Sequence, residues 1–184
     1  MRTCDFDGPR GPVDTALSRL ARDSALVRIR PGVYWKGVPT PSGMSLPRTS
    51  EIGIALGGIG SGPAGVAAAN MLGLTTQVPA TFLIAVPKRA PAAYVGLKFT
   101  QRPVERLIRC LTPWEVAVLE VLRAGPMVIE SGMDEVAEAT VQLAHHGRAR
   151  VETVAAAAIS EPHRLARSRW MDLCSSHPEL AAAA

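Results

Sequence analysis

No acidic residue occurs between Glu51 and Glu105, and no charge of either sign occurs from Ile52 to Pro87. The uncharged run does not read as a membrane span, because six glycines between Gly53 and Gly65, together with Pro63, interrupt it. Buried helices are expected there instead. Aromatic residues make up only 4% of the chain. With alanine abundant, that scarcity disfavours a large β-sandwich and favours close-packed helices. Cysteine is also sparse: Cys4, Cys110 and Cys174 are far apart and form no CxxC pair. This argues against a disulfide framework or a zinc site and fits a reducing cytoplasm. The N-terminus lacks the charged and apolar succession of a secretory signal. Gly-x-Ser-x-Gly, Walker A and His-Glu-x-x-His patterns are all missing, so nothing in the sequence requires an enzyme.

What is present is 184 residues with 47% hydrophobic content, enough for one ordinary domain or two small ones. The net charge of +4 is unevenly placed. Residues 1–50 hold eight bases and four acids, whereas residues 51–184 hold twelve of each. A basic module joined to a neutral one suggests that the first meets a polyanion and the second something else. Gly37-Val-Pro-Thr-Pro-Ser-Gly43 has the composition of a linker, which places a boundary near residue 40: a module over 1–40 and a domain over 45–184.

Within the basic module, Val13, Ala16, Leu17 and Leu20 recur at helical spacing, with Pro12 suited to the first helical position and Asp14 to the positive end of the dipole. The opposite face presents Thr15, Ser18, Arg19 and Arg22, donors of the kind that reach phosphates and base edges. Val27 and Ile29 then alternate with Arg28 and Arg30, Pro31-Gly32 suits the centre of a type II turn, and Val33-Tyr34-Trp35 returns as a strand. The expected hairpin carries Arg28, Arg30 and Lys36 on its exposed side. A polar-faced helix followed by a basic hairpin is the layout of a winged helix-turn-helix. The candidate DNA-binding residues are Arg10, Thr15, Ser18, Arg19, Arg22, Arg28, Arg30 and Lys36.

The segments VDTALSRLARDSALVRIRPGVYWKG and GPAGVAAANMLGLTTQVPATFLIAVP, in this order and spacing, resemble the AbiEi-like antitoxins, bacterial proteins of type IV toxin–antitoxin operons. The likeness covers most of residues 6–125. It implies a winged-helix N-terminal domain that represses its own operon by binding operator DNA. It also implies a C-terminal α/β region involved in countering a nucleotidyltransferase-like toxin. The basic positions of the family's recognition helix and wing carry over to Arg19, Arg22, Arg28 and Arg30. Members of the family place a further helix ahead of the segment matching Asp5-Phe6-Asp7-Gly8, and this sequence begins too late to contain it. The helix at 13–23 therefore needs a packing partner from residues 1–10, from the second domain, or from a start farther upstream.

Gly60-x-Gly62-x-x-Gly65 has the spacing of a dinucleotide-binding fingerprint, whose glycines let a strand-to-helix turn approach a pyrophosphate. That fingerprint also needs a carboxylate about 20 residues on to hold the ribose, and the acid-free stretch supplies none. A helix ending at Gly57-Gly58, a turn, and a second helix opened by Ser61 or Gly62 with Pro63 explain the same letters. No cofactor is expected; a small-molecule or flavin-binding protein built on Gly60–Gly65 is the alternative of a different class, and a plain winged-helix regulator without a toxin partner is another. Further on, strands are expected at 80–86 and at Tyr94–Phe99, joined antiparallel. Thr112-Pro-Trp-Glu115 spells a capping box opening a helix with a Val116, Leu119, Leu122 stripe, and Met133–His146 reads as a helix stopped by Gly147. His145-His146 suits a helix C-terminus better than a metal, and Glu130, Asp134, Glu135 and Glu138 suit a solvated face better than a catalytic pair. The expected fold is α+β: a winged helix-turn-helix without its usual first helix, followed by a helix-rich α+β domain with a small antiparallel sheet.

Overall fold

Val13, Leu17 and Ala21, spaced by four, turn one face of helix α1 (Arg10–Arg22) onto a small core with Leu26 and Tyr34. The computed structural model describes residues 1 and 3–182, and the chain divides into two units, Met1–Leu56 and Gly57–Ala184. The division lies beyond the boundary read from composition, because Gly37–Gly43 is not a loose linker. Strands β3 (Pro39–Thr40) and β4 (Gly43–Met44) pair there as a hairpin. Ser45 fixes it by accepting from Val38 N–H on its hydroxyl (2.8 Å) and from the Trp35 indole on its carbonyl (3.1 Å). Gly37 packs so closely on Ser45 that a Cβ there would collide with its backbone.

Helix α1 begins two residues earlier than Pro12 suggested, with Pro9 as N-cap. Pro12 still falls in the first turn, where no intrahelical N–H bond is lost. Leu20, expected on the core face, is 43% exposed. Strands β1 (Val27–Arg30) and β2 (Val33–Trp35) form the antiparallel hairpin around Pro31-Gly32, with Gly32 at φ 75° as a type II turn requires. Among the described residues ahead of α1, the one helical piece is a 3-10 turn, Thr3–Asp5. Met1 exchanges backbone hydrogen bonds with Tyr34, and Thr3 N–H donates to Gly32. Helix α2 (Thr49–Gly57) follows, and its Ile52 and Ala55 line a small cavity with Ile29, Val33 and Trp35.

The second unit is built around helix α5 (Pro113–Ala124). Residues 115–122 of α5 are all buried, as a helix apolar on every side must be. The stripe at Val116, Leu119 and Leu122 is thus only part of what is covered. Thr112 and Glu115 complete the expected capping box, with Pro113 opening the helix. Helices α6 (Asp134–His145), α7 (Val151–Ser160), α8 (Arg164–Ser176) and α9 (Pro178–Ala182) come after it in the chain, and α6, α7 and α8 pack on it. Gly147 follows α6 with φ 64°.

A three-stranded sheet runs β5 (Gly62–Pro63), β6 (Phe82–Val86), β7 (Leu97–Gln101). The first pair is antiparallel, but β6 and β7 are parallel, from Phe82↔Leu97 to Val86↔Gln101, which corrects the antiparallel expectation. Parallel neighbours normally need a crossover of a dozen or more residues. Here the proline-bearing segment 87–96 does it: extended chain of that length reaches about 33 Å, roughly twice the length of a five-residue strand. Helix α3 (Val66–Met71) also starts later than expected, behind Gly65, because Gly62 and Pro63 are held in the sheet.

Candidate nucleic-acid interface

An open cleft of about 420 Å³ lies between α1 and the β1–β2 hairpin in the first unit. Arg10, Asp14 and Ser18 form its helical wall, one turn apart, and Arg28 and Tyr34 its strand wall. Arg28 reaches the cleft because it pairs with Tyr34, so both side chains share the face of the hairpin turned to α1. The Tyr34 ring is buried while its hydroxyl hydrogen-bonds the Ser18 hydroxyl at 3.1 Å. Two guanidinium groups and the hydroxyls of Thr3, Ser18 and Tyr34 therefore share the cleft with a single carboxylate, Asp14.

The remaining candidates lie elsewhere. Thr15, Arg19 and Arg22 are exposed on the side of α1 away from Leu17. Thr15 donates to Gly11 C=O (2.9 Å), and Arg19 stands 3.9 Å from Asp23 with both side chains well exposed, a pair too wet to hold the guanidinium. On the hairpin the register slips between Arg28 and Arg30, so Arg28 pairs with Tyr34 and Arg30 with Val33. Consecutive partners point to opposite faces, and the bulge at Ile29 thus separates two arginines that strict alternation would have kept together. Arg28, Arg30 and Lys36 do not share one exposed side; Arg30 is half-buried and Lys36 exposed. Sequence reasoning missed the cleft-lining role of Asp14 and the Tyr34 hydroxyl, since neither is visible without knowing which strand face meets α1.

The second unit holds a buried charge network with no counterpart in the sequence reading. Arg106, on the short helix α4 (Glu105–Ile108), is 1% exposed and reaches Glu120 of α5 (2.7 Å) and Glu161 beyond α7 (2.8 Å). Arg102 forms a forked pair with Glu120 at 2.7 and 2.8 Å, and Arg123 meets Glu161 at 3.0 Å. Burial pushes the Glu120 carboxyl up, but Arg102 and Arg106 outweigh it and hold the group below its ordinary value. Glu115 is likewise held low against burial by Arg150, which forks onto it at 2.8 Å with both Nε and Nη2. The signal was a glutamate inside an apolar helical run.

Gly60, Gly62 and Gly65 do not form the dinucleotide turn. Helix α2, not a strand, precedes them, and protein fills the space beside two of them: Gly60 lies on the backbone of Arg106 and Leu107, Gly62 on Pro113 and Val116, while the space at Gly65 is open. Glu130 accepts from Thr75 and Thr76, and Asp134 pairs with His177. Among the described residues no group of three or more His, Cys, Asp or Glu could hold a metal ion, and no helix is long and apolar enough to cross a membrane. No known family model matches the chain, and comparison with curated proteins gives no match.

Proposed function

We propose that this protein is a DNA-binding regulator of the antitoxin type, acting by binding rather than by chemistry. Its first unit works as a reduced winged helix, with α1 as the groove-facing helix and the β1–β2 hairpin as the wing. The observation that carries this reading is the convergence of Arg10 and Arg28 with the Ser18–Tyr34 hydroxyl pair in one open cleft. Ser18 lies one turn from both Thr15 and Arg22, so the exposed Thr15, Arg19, Arg22 face of α1 adjoins the cleft wall along the helix. A phosphate seated between Arg10 and Arg28 would fix the register, leaving Arg19 and Arg22 to meet base edges or the neighbouring backbone. The resemblance to AbiEi-like antitoxins supports the same assignment. It adds the operon's own operator as the DNA and a nucleotidyltransferase-like toxin in the cytoplasm as the partner countered by the second unit.

A mobility shift of the full chain against the DNA upstream of its own gene, at two salt concentrations, tests this. Arg28→Ala is expected to weaken all sequences alike and lower the salt slope by about one. Arg19→Ala, at a base edge, should cost about 1–3 kcal/mol and relax preference at that base. Asp14→Asn, removing the one carboxylate in the cleft, should tighten binding. Salt slopes unchanged by Arg28→Ala and Arg10→Ala would end the assignment.

A further inference from the structure

In the second unit an open cleft of about 390 Å³ lies between the end of α3, the first turn of α5 and the last turns of α6. Its volume falls in the range of small-molecule sites, about 300–1,000 Å³. Leu72, Leu143 and the ring of Trp114 give it an apolar lining, and Asn70, Gln142, His146 and Arg148 give it polar groups. None of its ten lining residues is acidic.

Three features select a ligand class. The Arg148 guanidinium lies over the Trp114 ring, 4.9 Å from its centroid, and Arg148 is exposed. A guanidinium placed over an indole offers, with that ring, the two kinds of surface on which nucleobases stack, arginine and aromatic side chains. Asn70 spends its Nδ2 on Thr75 C=O (3.2 Å), which leaves its Oδ1 as an acceptor, and Gln142 brings a second amide, a donor–acceptor set suited to a base edge. A carbonyl only accepts, so His146 donates its Nδ1–H to Gln142 C=O at 2.7 Å and Nε2 is left as an acceptor for a base-edge N–H; Arg148 is the donor for an anionic group.

We propose that this cleft binds one nucleotide unit, its base stacked on the Trp114–Arg148 pair, its edge read by Asn70, Gln142 and His146, and its phosphate met by Arg148. The same unit can come free or within a single-stranded nucleic acid. The site is in a different unit from the DNA-binding surface and stands or falls apart from it.

The test is calorimetric titration of the full chain with AMP, GMP, adenosine, inorganic phosphate and a short single-stranded oligoadenylate. Saturable binding of a mononucleotide, or of the oligoadenylate alone, supports the site and tells the two sources apart. Trp114→Leu is expected to weaken binding by about five- to 150-fold, the usual effect of losing one stacked base, with Trp114→Phe retaining most of it. Because Trp114 also packs on the core, the exposed Arg148→Ala serves as the second variant: it should weaken AMP by more than adenosine. Binding of neither nucleotide nor oligoadenylate, inorganic phosphate competing as well as AMP, or affinities untouched by Arg148→Ala would each overturn the proposal.

Discussion

Arg106 is almost wholly buried yet charged, so its two carboxylate partners are what make its position tolerable. Removing one member of a buried ionic set strands the others in a poorly solvating interior, at a cost of about 3–5 kcal/mol. Arg106→Met is therefore expected to destabilise the second unit by that amount in urea unfolding, leaving Glu120 and Glu161 without their shared guanidinium. An effect below about 1 kcal/mol, the value of a surface pair, would mean the network is not closed to water. The same residues set a pH dependence. Glu120 and Glu115 have lowered values in the fold, so the stability they lend is full above the ordinary carboxylate value, about 4.3. It is lost as pH falls through the lowered ones. His177 works in the other direction. Hydrogen bonds to Asp134 and Glu179 (both 3.2 Å) raise it, so its contribution is complete below about 6.5 and disappears as pH rises through the raised value. Protection factors in the segment around Leu180, taken relative to the base-catalysed intrinsic exchange rate, should fall over that rise, and His177→Gln should abolish the fall.

At the scale of elements, Thr112 both caps α5 through Glu115 N–H and donates to Arg148 C=O. Thr112→Ala is expected to cost about 0.5–2 kcal/mol, measured as a shifted urea midpoint with unchanged slope. Elements of this kind were legible in the sequence because the signal is local: the capping box of α5, the Pro-Gly turn of the first hairpin and the glycine after α6 each depend on a few adjacent residues. What was not legible depended on distant partners. The bulge that parts Arg28 from Arg30 lies beside the cavity that Ile29 and Val33 line with Ile52 and Ala55 of α2, residues some twenty positions on. The parallel pairing of β6 and β7 follows from where segment 87–96 is drawn, and the composition of a segment does not state its path. Gly37–Gly43 looked like a linker for the same reason, since proline and glycine serve a tight hairpin as well as a loose one. In the candidate site, the residue types were readable, but their sorting into a cleft and an outer helix face needed the strand register.

Taken whole, the two units have very unequal interiors. The first rests on Leu17, Leu26 and Tyr34 with Val13 and Ala21 against them, and on the buried Val33, Ile52 and Leu56, whereas the second has a broad core from Ala64 to Leu180. Small cores leave stability marginal, so slow-exchanging amides should concentrate in residues 113–173, and those of α1 and the β1–β2 hairpin should exchange sooner. Equal protection in both would contradict this. A DNA ligand seated between Arg10 and Arg28 should slow exchange in α1 by mass action. Burial of α5 on every side carries one more implication. A fragment ending before Pro113 keeps all three strands of the sheet but loses the rod on which β5 and α3 rest. Such a truncation would expose Ala68, Ala69, Leu74 and Ala85 together, and the product would be a sticky remnant rather than a smaller version of the molecule.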